Sequence, residues 1–104
     1  MNSDFMQEQS QALAHRLFQE GVTDRTRITR LYELTLGRAP RAEEYTVAMR
    51  FLGEHTAILR ERKTRGETIV ALSDLPKTSD NVRAAAWVDL CLATLNLNEF
   101  VYVK

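Results

Sequence analysis

The sequence has a single cysteine, four glycines, two prolines and no net charge. One cysteine excludes an internal disulfide framework and any zinc site built from several thiolates. The balance of 14 basic and 14 acidic side chains argues against a dedicated nucleic-acid-binding domain, which carries a basic excess. No run of about 18 uncharged apolar residues is present, so the sequence predicts no membrane span. The first residues also lack a basic stretch followed by an apolar one, so no signal peptide is predicted in this chain.

What the sequence does contain is helical periodicity. Its 104 residues, 44% of them apolar, suffice for one hydrophobic core, and they predict a single helical domain over residues 1–104. The few glycines and prolines fall between segments whose apolar residues recur with a helical period. The expected fold class is all-α, a compact bundle of about four helices with an extended C-terminal tail. The predicted helices cover residues 3–20, 24–36, 41–65 and 81–95.

Two segments have a less regular pattern. Residues 66–80 contain a short run of strand-forming residues, but a lone strand is unstable, so a continued helix or an ordered loop is preferred. Ser79 or Asp80 is expected to cap the last helix. The tail after Asn96 alternates in polarity and is expected either to pack back on the helices or to bind a partner. The candidate partner-contact residues are Phe100, Val101, Tyr102 and Val103.

Two stretches carry a family resemblance. They read Leu-Tyr-Glu-Leu-Thr-Leu-Gly-Arg-Ala-Pro at 31–40 and Trp-Val-Asp-Leu-Cys-Leu-Ala-Thr-Leu-Asn-Leu-Asn-Glu-Phe-Val-Tyr-Val at 87–103. Together they resemble the C-terminal end of a planctomycete-specific domain of unknown function. In that family the domain commonly follows cytochrome-c-like domains in large, often exported proteins.

The resemblance implies that this chain is the C-terminal portion of a longer domain, within an exported parent protein, or a stand-alone version of that portion. It implies no catalytic residue. Arg41 departs from the family pattern, where a Thr or Ser would form a capping box with Glu44. Cys91 is not followed by the second Cys and the His that covalent haem attachment requires, so the haem chemistry of neighbouring domains is not expected here.

Charged residues suggest two further features. Eleven of the 14 basic residues are arginines, which favours internal ion pairs. We expect Arg38 to pair with Glu99, joining the tail to the turn after the second helix. The candidate basic patch consists of Arg60, Arg62, Lys63 and Arg65. Its simpler interpretation is a solvated helix end, because cations complement the dipole there.

No catalytic, cofactor-binding or metal-ligating set is predicted. His15 and His55 lie on different predicted helices, with no further ligand at metal-binding spacing. Cys91 falls on an apolar face and is interpreted as a small buried hydrophobe. Trp87 and Tyr32 have the spacing of core residues, which favours packing over a ligand platform.

The predicted function is a non-enzymatic helical module that acts in protein–protein contact or caps a larger exported protein. Its partner would be another domain of the parent protein or a second copy of the chain. One alternative is a nucleic-acid-binding domain of helix-turn-helix type, which would use Arg25, Arg27 and Arg30 with the basic patch. Another is part of an enzyme completed by upstream domains. No cofactor is expected.

Overall fold

The computed structural model describes the backbone of residues 3–69 and 80–102, and the side chains of residues 4–69 and 80–97. Over these ranges the fold is all-α, as the sequence predicts. The helices are α1 (Ser3–Glu20), α2 (Asp24–Leu36), α3 (Ala42–Thr64) and α4 (Asn81–Tyr102). None of the helices in the described ranges has the length and apolar character that crossing a membrane requires.

Helix α4 is the centre of the bundle. It packs most extensively against α1 and α3, which do not contact each other within the described ranges. Helix α2 contacts all three of the other helices. Eight of the fifteen residues in the buried apolar cluster come from α4. This share explains why the predicted amphipathic stripe of α4 is so broad: a helix covered on several sides buries most of its circumference. The residues it contributes are Val82, Ala84, Ala85, Ala86, Trp87, Val88, Leu90 and Cys91.

Local capping explains the bounds of α2. The Thr23 hydroxyl accepts a hydrogen bond from the Thr26 backbone N–H at 3.1 Å, and the Thr23 backbone N–H donates to the Thr26 hydroxyl, also at 3.1 Å. These bonds satisfy donors that have no partner inside the helix. At the other end Gly37 adopts φ 72°, and its N–H donates to the Glu33 carbonyl at 3.1 Å. The left-handed backbone conformation at this position costs little conformational free energy for glycine and more for residues that have a Cβ atom.

The end of α3 and the start of α4 lie where the sequence predicts them. Gly66, at φ 87°, follows the end of α3. Asp80 caps α4, because one of its carboxylate oxygens accepts from the backbone N–H groups of Val82 at 3.0 Å and Arg83 at 3.2 Å. Thr68 and Ile69 belong to neither a helix nor a strand. The rest of the ambiguous segment, residues 70–79, lies outside the described residues.

One sequence expectation is corrected. The tail is not extended, since α4 continues without a break through Tyr102. An extended segment without a neighbouring strand leaves its backbone groups unpaired, whereas a continued helix pairs them internally. Gly21, which directly follows α1, does not adopt the left-handed conformation found at Gly37 and Gly66. It is instead a site of close approach: a Cβ there would lie 3.0 Å from the Arg27 Cγ atom.

Candidate interaction sites

Most arginines are engaged within the fold, as their abundance predicts. Arg83 of α4 donates to Asp24 of α2 at 2.6 Å, and Arg30 of α2 donates to Glu20 of α1 at 3.0 Å. Arg27 is 17% exposed and donates to the Gly21 carbonyl, and its guanidinium carbon lies 4.2 Å from the centre of the Phe18 ring. Arg27 and Arg30, proposed for a nucleic-acid surface, are therefore held by groups within the bundle.

The turn between α2 and α3 is closed by Arg38 and Glu44. The two guanidinium NH₂ groups of Arg38 donate to the two carboxylate oxygens of Glu44 at 2.7 and 2.9 Å. Glu44 also accepts from the Arg41 backbone N–H at 2.8 Å. The bidentate geometry is the strong form of this pairing. These bonds, that from Arg38 above all, lower the pKa of Glu44 from 4.5 to about 2.

The partner that the sequence predicts for Arg38 is Glu99, whose side chain lies outside the described residues. That pair stays a prediction. The structure shows that Glu44 already satisfies Arg38 in a bidentate manner. Of the two hydrogen bonds that make up a capping box, the structure contains the one from the Arg41 backbone N–H to the Glu44 carboxylate. This bond does not need a Thr or Ser side chain at position 41.

Replacing Glu44 by glutamine is expected to change how stability depends on pH. A carboxylate whose pKa is lowered by folding stabilises the protein above its ordinary pKa, and this contribution is lost as the pH falls through the folded value. The difference in the free energy of unfolding between wild type and Glu44→Gln should therefore reach its full size above about pH 4.5 and vanish near pH 2. Because the pair is partly exposed, we expect about 1 kcal/mol at neutral pH.

Urea denaturation at a series of pH values measures this difference. Glu43→Gln is the matched control, since Glu43 lies in the same first turn of α3 but forms no ion pair with the described residues. We expect it to change stability less than Glu44→Gln does. A Glu44→Gln difference that stays constant from neutral pH to pH 2 would contradict the assigned interaction.

Two residues of the candidate basic patch form ion pairs with acidic residues of the described chain. Arg60 donates to Asp80 at 2.7 Å, and Arg65 lies 3.7 Å from Glu67. The Arg60 bond is the main reason that the pKa of Asp80 is below its ordinary value. Arg62 and Lys63 form no ion pair with the described residues. All four side chains are exposed, and a binding role for the patch stays a prediction.

One polar pair was missed by the sequence reasoning. The Nδ1 atom of His55 lies 3.4 Å from a carboxylate oxygen of Asp89, joining α3 to α4. The imidazole is stacked on Phe51, with ring centres 3.9 Å apart. The pair is 34 positions apart in sequence, and the spacing of histidines alone could not reveal it. Among the side chains of residues 4–69 and 80–97, no three metal-binding groups converge.

A groove of about 220 Å³ runs beside this pair, between α1, α3 and α4. Leu59, Ala85 and Val88 provide its apolar lining, and Arg62 and Asp89 its charges.

Cys91 is fully buried, and burial raises its pKa to about 12, so its thiol is held in the protonated form. This agrees with the interpretation of Cys91 as a small buried hydrophobe.

The surface of α4 changes character near its C-terminal end. Thr94 is 5% exposed, whereas Leu97, three residues further along the same helix, is 63% exposed. The candidate partner-contact residues Phe100, Val101 and Tyr102 lie in the helical turns that follow, and Val103 is outside the described residues. The apolar sequence of α4 thus continues past Leu97, the last residue of the helix whose exposure the structure describes.

Comparisons with protein-family models, curated proteins and solved structures find no match to this chain.

Proposed function

We propose that this chain is a non-enzymatic helical module that binds another protein through the last turns of α4. The observation that carries the proposal is the contrast between Leu90 and Leu97. They are seven residues apart and so share one helix face, yet Leu90 is 7% exposed and Leu97 is 63% exposed. A face that is buried inside the bundle becomes solvent-exposed without becoming polar.

The helical backbone extends this face. Val101 is four residues after Leu97 and Phe100 is three, so their positions fall on the same side of α4. An exposed leucine followed by further apolar residues at positions on the same helix face is typical of an interaction surface. The resemblance to the C-terminal end of a planctomycete-specific domain supports the same interpretation, because such a module would contact other parts of a larger exported protein.

The partner we propose is a second copy of this chain. Residues 96–104 contain one acidic and one basic side chain, so two copies of the segment carry no net charge and do not repel each other. A twofold interface requires only a self-complementary patch, and paired apolar helix faces meet that requirement. Two such helix ends would bury roughly 1,000 Å² in total, which corresponds to a weak dimer.

Light scattering after size exclusion tests the proposal. We expect the molar mass of the full chain to rise towards that of a dimer as the concentration is increased from about 5 to about 500 μM, the range of weak interfaces. Leu97→Glu should weaken dimerisation by about tenfold or more, because it places a charge in the centre of the apolar face. A chain that ends after Asn98 should remain monomeric.

Val47→Glu is the matched control. Val47 is on α3 and is 60% exposed, close to the value for Leu97, so the same change there should leave dimerisation unaltered. A wild-type chain that is monomeric at every concentration would contradict self-association. Equal effects of Leu97→Glu and Val47→Glu would show that the end of α4 is not the surface involved.

A further inference from the structure

A second surface, at the turn between α2 and α3, carries an excess of positive charge. A cavity of about 640 Å³ lies where α2 meets the α2–α3 turn and the start of α3. We call it the α2–α3 cavity; the lining residues that decide its chemistry are Arg25, Thr29, Arg41, Ala42, Tyr45 and Thr46. Two of these side chains are cationic and none is acidic.

Arg25 is positioned by an aromatic ring rather than by a carboxylate. Its guanidinium carbon lies 4.4 Å from the centre of the Tyr45 ring. Stacking uses the flat face of the guanidinium and leaves the N–H groups at its edge available to an acceptor. No carboxylate among the described residues lies within 4 Å of Arg25, so this cation is fixed in place without a counter-charge.

Arg41 is an unusual residue for its position. It is the N-cap of α3, where most proteins place a side chain that accepts hydrogen bonds, and arginine has no acceptor atom. A cation at this end also opposes the helix dipole. Glu44, which bonds the Arg41 backbone N–H, is itself held by both NH₂ groups of Arg38, and the Arg41 side chain forms no ion pair with the described residues.

The two threonine hydroxyl groups of the cavity add one available donor. Thr46 already donates to the Ala42 carbonyl at 3.0 Å. Thr29 forms no hydrogen bond through its hydroxyl with the described residues, and it lies on the α2 wall one turn after Arg25. The cavity therefore combines two arginines from different elements, neither of them ion-paired with a described carboxylate, with a threonine hydroxyl group that has no hydrogen-bond partner among the described residues.

We propose that the α2–α3 cavity binds a phosphate group, either as inorganic phosphate or as a small phosphomonoester. Two guanidinium groups carry as much positive charge as a phosphate dianion carries negative charge, and their forked donors match its oxygens. A planar carboxylate carries half that charge. This site is independent of the interaction surface on α4, because it draws on α2, α3 and the turn between them.

An NMR titration of the full chain with inorganic phosphate tests the site. Sodium sulfate and sodium chloride at matched ionic strength serve as anion controls, and glycerol 3-phosphate distinguishes a phosphomonoester from the free ion. We expect saturable shifts of the backbone amides of Thr29, Ala42 and Tyr45, larger for phosphate than for chloride. If glycerol 3-phosphate binds more tightly than inorganic phosphate, the ligand is a phosphomonoester; the reverse order identifies the free ion.

Two variants and a control make the assignment specific. Arg25→Gln and Arg41→Gln should each weaken binding by about tenfold, as expected for loss of one charge-assisted contact. Arg50→Gln is the control, because Arg50 is exposed, forms no ion pair with the described residues and does not line the cavity. Circular dichroism confirms that each variant is folded. Shifts that do not saturate, or that persist unchanged in Arg25→Gln and Arg41→Gln, would overturn the proposal.

Discussion

Replacing Trp87 by alanine is expected to destabilise the protein by about 4 kcal/mol, a large part of the roughly 5–15 kcal/mol by which an ordinary domain is stable. Trp87 is 0% exposed and is the largest fully buried side chain. Its ring meets that of Phe18 edge to face, with centres 6.2 Å apart, and so links α4 to α1. Alanine would leave a large cavity at the junction of these helices, and the packed interior relaxes only partly around such a void.

Urea denaturation followed by circular dichroism measures the loss. Trp87→Phe is the informative control, because the indole Nε1 atom has no hydrogen-bond partner among the described residues. Phenylalanine therefore removes volume but no hydrogen bond, and we expect a loss of roughly 1–2 kcal/mol. A Trp87→Ala variant that loses less than Trp87→Phe would contradict the central position of this side chain.

The second large effect is expected when Ala86 is enlarged to leucine. Three successive alanines, at 84, 85 and 86, are 1%, 5% and 0% exposed, so α4 is covered around most of its circumference at this level. Successive residues on a helix point about 100° apart, and three buried in a row mean that neighbouring helices approach from several sides. Leucine at Ala86 should force these helices apart and cost about 3 kcal/mol.

Thermal and urea unfolding of Ala86→Leu test this prediction. Leucine has nearly the helix propensity of alanine, so any large loss reflects packing rather than helix formation. The matched control is Ala57→Leu, at an exposed position of α3, which should change stability by less than about 0.5 kcal/mol. Equal stability of Ala86→Leu and the wild type would mean that α4 has free space on this side.

The helices could be predicted because the signals that define them are local. Thr23 and Gly37 act within one turn of the helix that they bound, and their chemistry is readable from neighbouring residues. Asp80, anticipated as a cap, bonds N–H groups two and three residues away. The buried face of α4 was likewise visible in its composition, since the run from Ala84 to Trp87 has no polar residue.

The sites were less predictable, because they depend on which helices meet. The partner of His55 is 34 positions distant, and the guanidinium of Arg25 reaches Tyr45 only when α2 and α3 are packed together. The wrong prediction of an extended tail has a different cause. Residues 100–103 alternate in a way that resembles a strand, but a strand needs a neighbour, and the helix preceding Asn96 offers a continuation that satisfies the backbone.

Backbone amide hydrogen exchange along α4 is the most direct test of the central claim, that one continuous helix is buried by the bundle up to about Leu95 and is free to bind a partner beyond it. In dilute, monomeric protein we expect slow exchange from Ala86 to Leu95 and much faster exchange after Leu97. At concentrations where the molar mass shows dimers, the amides of residues 98–102 should slow. Equal protection along the whole helix in the dilute monomer, or fast exchange after Leu97 at every concentration, would contradict the account.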